Sequence, residues 1–249
     1  MSFALTAATD FHISRSHAIR EFEGQPRPGH HFEPTTERLL DEDLLTLSTR
    51  LPKASDGVAF VREFVGGRGV ADAVAVTGWH AATRARVALG LPPLLNKTDC
   101  AIVAVLSPNQ TRTIATLTHK LGMSQDQLVR RIRPLTTAGY VQVSGSGYRR
   151  VPGLEPIGRA YALEAKVSDW RQGISQALRY STWCDAAAIV LLKDPRNLDE
   201  VKARCSALGL GFAANGRWIR RPRIGYPNPG LRLAMSEQFV WQIINSEAF

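Results

Sequence analysis

Cysteine is scarce in this chain: Cys100, Cys184 and Cys205 are the only three in 249 residues. No two of them stand at CxxC spacing, so neither a disulfide framework nor a cysteine zinc site is expected, and a reducing, cytoplasmic setting is. Long hydrophobic runs are missing too. None approaches the roughly 18–20 residues a membrane span needs, and residues 186–192 make only a strand-sized stretch, so no membrane partner is expected. Residues 1–10 lack a basic segment ahead of an apolar one, so no secretory signal is expected. There is no internal repeat and no low-complexity tract. The hydrophobic share of 44% is enough to bury a core, which excludes wholesale disorder. Acidic side chains are outnumbered: 22 Asp and Glu face 31 Lys and Arg, a net charge of +9. Such a balance favours polyanions, nucleic acid above all.

The excess is concentrated. Residues 1–36 sum to −1 and 37–94 to 0, whereas 153–249 sum to +4. Residues 95–152 carry eight basic side chains against Asp99 and Asp126, a net +6 in under a quarter of the chain.

Residues 1–36 mix Ser, Thr, His, Gly and Pro without periodicity and read as an extended or partly ordered arm. Leu39, Leu40, Leu44, Leu47 and Leu51 recur at helical spacing behind the caps Thr35 and Thr36, predicting a helix over 37–51. Two β-rich runs, 58–65 and 70–76, flank Gly66-Gly67-Arg68-Gly69, which is a hairpin signal. A short helix over 81–89 is ended by Gly90 and Pro92-Pro93. Between 95 and 152 the pattern predicts helices at 98–106, 111–121 and 125–138, the last capped by Ser124 and stopped by Gly139. Strands at 140–143 and 148–151 follow, joined by Ser144-Gly145-Ser146-Gly147. Beyond Pro156 come a strand at 158–167, a helix from 170 to about 182 capped by Ser168 or Asp169, and a buried strand at 185–192. A helix at 198–208, a strand pair at 211–214 and 217–221, and helical spacing over 236–244 complete the chain.

Three helices followed by a two-stranded hairpin is the order of a winged helix-turn-helix, and 95–152 resembles that superfamily over its length. The turn Leu121-Gly122-Met123-Ser124 matches the tight glycine-bearing turn of the motif. The resemblance implies a third helix in the major groove of double-stranded DNA, offering Ser124, Gln125, Gln127 and Arg131 to base edges. Lys120, Arg130 and Arg133 would meet phosphates, and Arg149 and Arg150 on the wing would enter or skirt a minor groove. A protein-interaction module with a solvated basic face is the competing reading.

The sharpest chemistry lies in Leu163-Glu164-Ala165-Lys166. In a strand the side-chain period is two, so Glu164 and Lys166 leave the same face. A carboxylate that holds a divalent metal beside an amine that activates water or neutralises developing charge suits phosphodiester hydrolysis. One carboxylate makes a poor Mg²⁺ site, and Asp72, an acid inside the apolar run Val70-Ala71-Asp72-Ala73-Val74, supplies a second. The competing reading is a surface Glu–Lys pair worth little.

Asp72, then Glu164-Ala165-Lys166, then Gln176-Ala177-Leu178-Arg179-Tyr180 resembles the PD-(D/E)xK, or restriction-endonuclease-like, nuclease superfamily. The last piece is similar to the QxxxY motif of its helicase-nuclease and exonuclease branch. The resemblance covers most of the chain outside 1–36 and 95–152. It implies an α/β mixed-sheet core, discontinuous over 37–94 and 153–249, with the winged helix inserted in it. It also implies that Asp72, Glu164 and the Ala165 carbonyl bind Mg²⁺ or Mn²⁺. Lys166 would position or activate the attacking water, and Gln176 and Tyr180 would orient Lys166 or the DNA. Two features depart from the family: Ala71 stands where Pro precedes the Asp, and 92 residues separate Asp72 from Glu164, which the inserted module explains.

His12, His17, His30 and His31 match no metal-site spacing, and His80 and His119 read as surface or helix-end residues. The three cysteines fall in apolar elements and read as small core residues. Trp170 and Trp183 read as packing a helix against the sheet. Trp218, Arg220, Arg221, Arg223 and Tyr226 interleave basic and aromatic groups, either as a nucleic-acid surface or as a solvated hairpin. The expected function is metal-dependent DNA hydrolysis; the alternative is a non-enzymatic DNA-binding protein, such as a transcriptional regulator, that keeps the nuclease fold as scaffold. Cutting both strands of a duplex would call for two such sites, so a homodimer is a candidate assembly.

Overall fold

A computed structural model describes residues 19–22 and 40–245. In chain order these form β1 (Ile19–Phe22), α1 (Asp41–Ser48), β2 (Val58–Val65), β3 (Val70–Thr77), α2 (Trp79–Ala88), α3 (Lys97–Val105), α4 (Ile114–Leu121), α5 (Gln125–Thr137), β4 (Val141–Ser144) and β5 (Gly147–Arg150). They continue with β6 (Arg159–Lys166), α6 (Trp170–Tyr180), β7 (Ala186–Leu191), α7 (Leu198–Ala207), β8 (Gly211–Ala214), β9 (Arg217–Arg220) and α8 (Pro229–Asn245). The result is an α/β chain built on a mixed seven-stranded sheet, in the order β1-β2-β3-β6-β7-β8-β9. No helix among the described residues is long and apolar enough to cross a membrane.

The central strands are buried on both faces, as the apolar runs Ala160–Leu163 of β6 and Ala186–Leu191 of β7 require. From β6, Ala160 and Ala162 enter one core and Tyr161, Leu163 and Ala165 the other. From β7, Ala187, Ile189 and Leu191 join the first and Ala186, Ala188 and Val190 the second. The first core is closed by Ile174, Ala177 and Tyr180 of α6, Val201 and Cys205 of α7, and Phe239, Val240 and Ile243 of α8. The second is closed by Leu44 and Leu47 of α1 with Leu40 and Leu51 beside them. The helical spacing of those leucines is thus a sheet-facing stripe. Of the expected helix over 37–51, positions 37–39 lie outside the described residues, as do Thr35, Thr36 and the arm histidines His12, His17, His30 and His31.

The stretch 95–152 forms three helices and a hairpin, as expected, around a core of its own that includes Cys100, Ile102, Leu117, Leu128, Ile132 and Leu135. Its helix ends obey local rules. Ser124 and Gln127 close a capping box on α5, and Gly122 ends α4 at φ 64°, the left-handed region that glycine adopts freely.

Two elements differ from expectation. Ile19–Phe22, inside the expected arm, adds a parallel edge strand to β2, and Phe22 is buried against Trp79 and Phe239. Helix α8 begins at Pro229, seven residues before the expected start. Pro-Gly reads as a turn, but proline is tolerated in a helix's first turn. Gly230 is required there by close packing, since a Cβ would come within 2.8 Å of the Ala101 Cα in α3.

That contact makes α8 a shared element. Its Leu233 belongs to the module's core, while Met235, Phe239, Val240 and Ile243 belong to the sheet's. A buried ion pair fixes the entry to the module. Arg86 of α2 grips Glu237 of α8 through Nε–Oε1 at 2.8 Å and Nη2–Oε2 at 2.6 Å. The same guanidinium donates to the carbonyls of Leu91 and Pro92, each at 2.9 Å. Glu237 Oε2 also accepts the Leu94 amide at 2.7 Å.

Candidate active site and nucleic-acid interface

The β3–β6 ladder runs from Thr77↔Arg159 to Ala73↔Leu163 and stops there. Its end coincides with a break in the neighbouring β2–β3 ladder, which pairs Arg62 with Ala73 and Phe64 with Ala71 but skips Glu63 and Asp72. Glu63 has φ 48°, a left-handed conformation that costs a non-glycine residue about 1–2 kcal/mol. Ala71 packs in the same core as Val74 and Val76, out of strand phase with Ala73. The kink frees Asp72 from strand alternation, and the side chain leans in the plane of the sheet toward β6. There Asp72 Oδ2 accepts the Ala165 amide at 2.7 Å.

Glu164 and Lys166 leave one face of β6, as the two-residue period demands. Lys166 Nζ lies 2.7 Å from Glu164 Oε1 and donates to the Ala165 carbonyl at 3.0 Å. Glu164 is 1% exposed and Lys166 9%, which overturns the reading of a surface ion pair. A buried pair persists only with its remaining hydrogen bonds satisfied, and Tyr180 helps satisfy them. Its hydroxyl lies 2.6 Å from Glu164 Oε2 and 2.5 Å from the Val70 carbonyl. It has one proton to share between those two acceptors. Burial first, and then the Glu164 carboxylate, push the hydroxyl's pKa up, so it stays protonated and acts as a donor.

Asp72, Glu164, Ala165, Lys166 and Tyr180 therefore meet where β3 and β6 part. Gln176 sits one helical turn before Tyr180 on α6, its Oε1 buried and, among the described residues, without a hydrogen-bond partner. The oxygen atoms where the strands part include two carboxylates and the Ala165 carbonyl, the hard donors that Mg²⁺ or Mn²⁺ takes. Among the described residues no group of three or more His, Cys, Asp or Glu is placed to hold a metal. A cation resting on two carboxylates would complete its shell with water and substrate oxygens.

The module's basic residues divide into engaged and open. Arg131 donates to Asn96 Oδ1 at 2.9 Å and lies 3.4 Å from Asp99 Oδ1. Arg149 Nε donates to Thr111 Oγ1 at 2.8 Å and Arg150 pairs with Glu155 at 2.7 Å. Arg130 Nε donates to the Asp126 carbonyl at 3.2 Å. Ser124 and Gln127 hold one another's main chains in the capping box. Lys120, Gln125 and Arg133 are exposed.

The aromatic-basic stretch at the far edge lies apart from this opening, with β7 and β8 between β9 and β6. Trp218 donates to the Leu47 carbonyl at 3.0 Å and Arg217 pairs with Asp194 at 2.8 Å, while Tyr226 is fully exposed. Trp183 is buried against the β2–β3 turn, where a Cβ on Gly66 would fall within 2.3 Å of its ring. The Gly66-Gly67-Arg68-Gly69 run is thus a hairpin turn, closed by the Gly66 amide on the Gly69 carbonyl at 2.9 Å.

Sequence reasoning missed the Glu63 kink and the Arg86–Glu237 pair. A lone Glu inside the apolar helical stretch 236–244 was the signal for the second. No protein-family model, curated protein or solved structure matches the chain, and what the site can do rests on the geometry above.

Proposed function

We propose that this chain is a metal-dependent deoxyribonuclease: a restriction-endonuclease-like core hydrolysing DNA phosphodiesters, placed on duplex DNA by a winged helix inserted at 95–152. One observation carries the reading. Residues 92 positions apart in sequence, Asp72 and the Glu164-Ala165-Lys166 run, meet at one parting of two strands, with Tyr180 on Glu164 at 2.6 Å.

In this reading Asp72, Glu164 and the Ala165 carbonyl hold Mg²⁺ or Mn²⁺. When bound, the cation polarises the phosphate and lowers the pKa of a water. Lys166 places a positive charge at the opening to meet the charge that builds on the phosphate. Tyr180 fixes the Glu164 rotamer, and Gln176 offers an unused carbonyl oxygen to a water or to Lys166. The net +6 of the module supplies affinity for the DNA backbone.

A specific observation favours the runner-up, a DNA-binding protein that keeps this fold as scaffold. Glu164 already accepts from both Lys166 and Tyr180, a network complete enough to be structural. Incubation with supercoiled, linear and single-stranded DNA and structured RNA, with Mg²⁺, Mn²⁺ or EDTA, separates the two. Cation-dependent DNA cleavage that Glu164→Ala and Lys166→Ala abolish is the expected result. Salt-dependent DNA binding with no cleavage overturns the nuclease reading in favour of the scaffold, and cleavage confined to RNA overturns the choice of substrate.

A further inference from the structure

The module and the carboxylate opening are joined by a continuous run of contacts. Arg131 on α5 donates to Asn96 Oδ1 at 2.9 Å, and Asn96 is the N-cap of α3. The next residue, Lys97, reaches to the β2–β3 turn, its Nζ 3.4 Å from the Gly67 carbonyl. Arg68 is exposed at the tip of that turn. On the turn's other side, a Cβ on Gly69 would stand 3.4 Å from Tyr180 Cε1 and 4.0 Å from Arg179 Nε. Tyr180 then touches Glu164.

Lys97, Arg68 and Arg179 thus punctuate a path from α5 to the site, and all three are exposed. Four other arginines have carboxylate partners: Arg62 has Asp41, Arg150 has Glu155, Arg171 has Glu200 and Arg217 has Asp194. Among the described residues the three cations of the path stand in no ion pair. Cations held along a ridge without competing carboxylates suit phosphates repeating along a strand.

We propose that Lys97, Arg68 and Arg179 form a phosphate track that carries one nucleic-acid strand from the module to the Asp72–Glu164 opening. The proposal rests on the nucleic-acid reading above. The track touches the backbone only, so it adds affinity without sequence preference and fixes how far from the module's footprint the strand meets the site. Because α8 and the Arg86–Glu237 pair lock the module to the core, that offset is constant.

Fluorescence anisotropy of two unrelated 30-bp duplexes in EDTA, from ~50 to ~200 mM salt, tests it. The track variant is Arg68→Gln/Arg179→Gln. The control, Arg171→Gln/Arg217→Gln, removes the same charge from paired positions off the path, where exposed ion pairs contribute little. Thermal melting checks that both fold. Expected for the track variant are a log Kd–log salt slope shallower by about 2 and binding on the order of tenfold weaker at ~50 mM salt, equally for both duplexes. Loss no greater than in the control overturns the track while leaving nucleic-acid binding in place. A wild-type chain that binds neither duplex overturns the track and the reading beneath it together.

Discussion

Asp72 Oδ2 accepts the amide of Ala165 at 2.7 Å across 93 positions of sequence, standing in for the main-chain partner that β3 stops providing at Ala73. Asp72 therefore has a structural duty that any substitution must be read against. Asp72→Ala leaves the Ala165 amide unpaired, a cost of about 1–3 kcal/mol. Asp72→Asn keeps an acceptor and removes the charge. Urea melts should show the Ala variant destabilised by that amount and the Asn variant near wild type, while Mn²⁺-dependent cleavage is lost in both.

Glu164, Lys166 and Tyr180 form one buried unit, so single changes should be costlier than paired ones. Lys166→Met strands a carboxylate that is 1% exposed, a penalty of about 3–5 kcal/mol. Combining it with Glu164→Gln removes the stranded charge and should restore most of the loss. Tyr180→Phe should cost about 1–3 kcal/mol by taking a donor from Glu164 Oε2 and the Val70 carbonyl. Chemical denaturation of the two singles and the double closes the cycle, and additivity within ~0.5 kcal/mol would contradict the coupling.

Gln176 separates function from stability. Its Oε1 is buried and has no partner among the described residues, so Gln176→Met removes an unsatisfied polar group at similar volume and should leave the urea midpoint unchanged or raised. If the carbonyl positions a water or Lys166 in the proposed reaction, the same variant should lose cleavage rate by a factor of about 10². A variant with unchanged midpoint and unchanged rate would remove Gln176 from the site.

Much of this was legible in residue order. Glu164 and Lys166 share a face because strand period is two, and α5 starts at Gln125 because Ser124 and Gln127 cap it. What escaped depends on contacts between distant segments. Ile19–Phe22 has no pattern of its own and becomes a strand because β2 offers an edge and Trp79 and Phe239 receive Phe22. The lean of Asp72 follows from a left-handed Glu63, which residue type does not announce. Arg131 looked available for bases by its position on α5, yet Asn96, 35 residues earlier, engages it.

The three thiols should be silent in the folded protein. Burial pushes Cys100 and Cys184 up to about 12 and Cys205 up to about 11, and the thiolate is the reactive form. At pH 8 a thiol-specific disulfide reagent should find no reactive group in native protein and three in denaturant. The folded values lie above the unfolded value of 9.0, so the folded state holds these protons more tightly. Their contribution to stability is full below pH ~9 and should be lost as pH rises through the folded values. A urea midpoint unchanged between pH 8 and 10.5 would contradict it.

The Arg86–Glu237 pair, with side chains 1% and 2% exposed, decides whether the module is rigid on the core. Arg86 also donates to the Leu91 and Pro92 carbonyls and Glu237 accepts from the Leu94 amide. Breaking the pair thus takes these partners from the main-chain entry to α3 and strands a charge, leaving the Tyr140 hydroxyl on the Pro92 carbonyl at 2.6 Å. Arg86→Met should cost about 3–5 kcal/mol and make the 91–94 segment the first site of limited proteolysis. Arg86→Met/Glu237→Leu removes both charges but not the need of the 91–94 main chain for partners, so it should recover stability while the segment stays protease-sensitive. If the double variant resists protease like wild type, packing of Leu233 and Gly230 against the module fixes it without the ion pair.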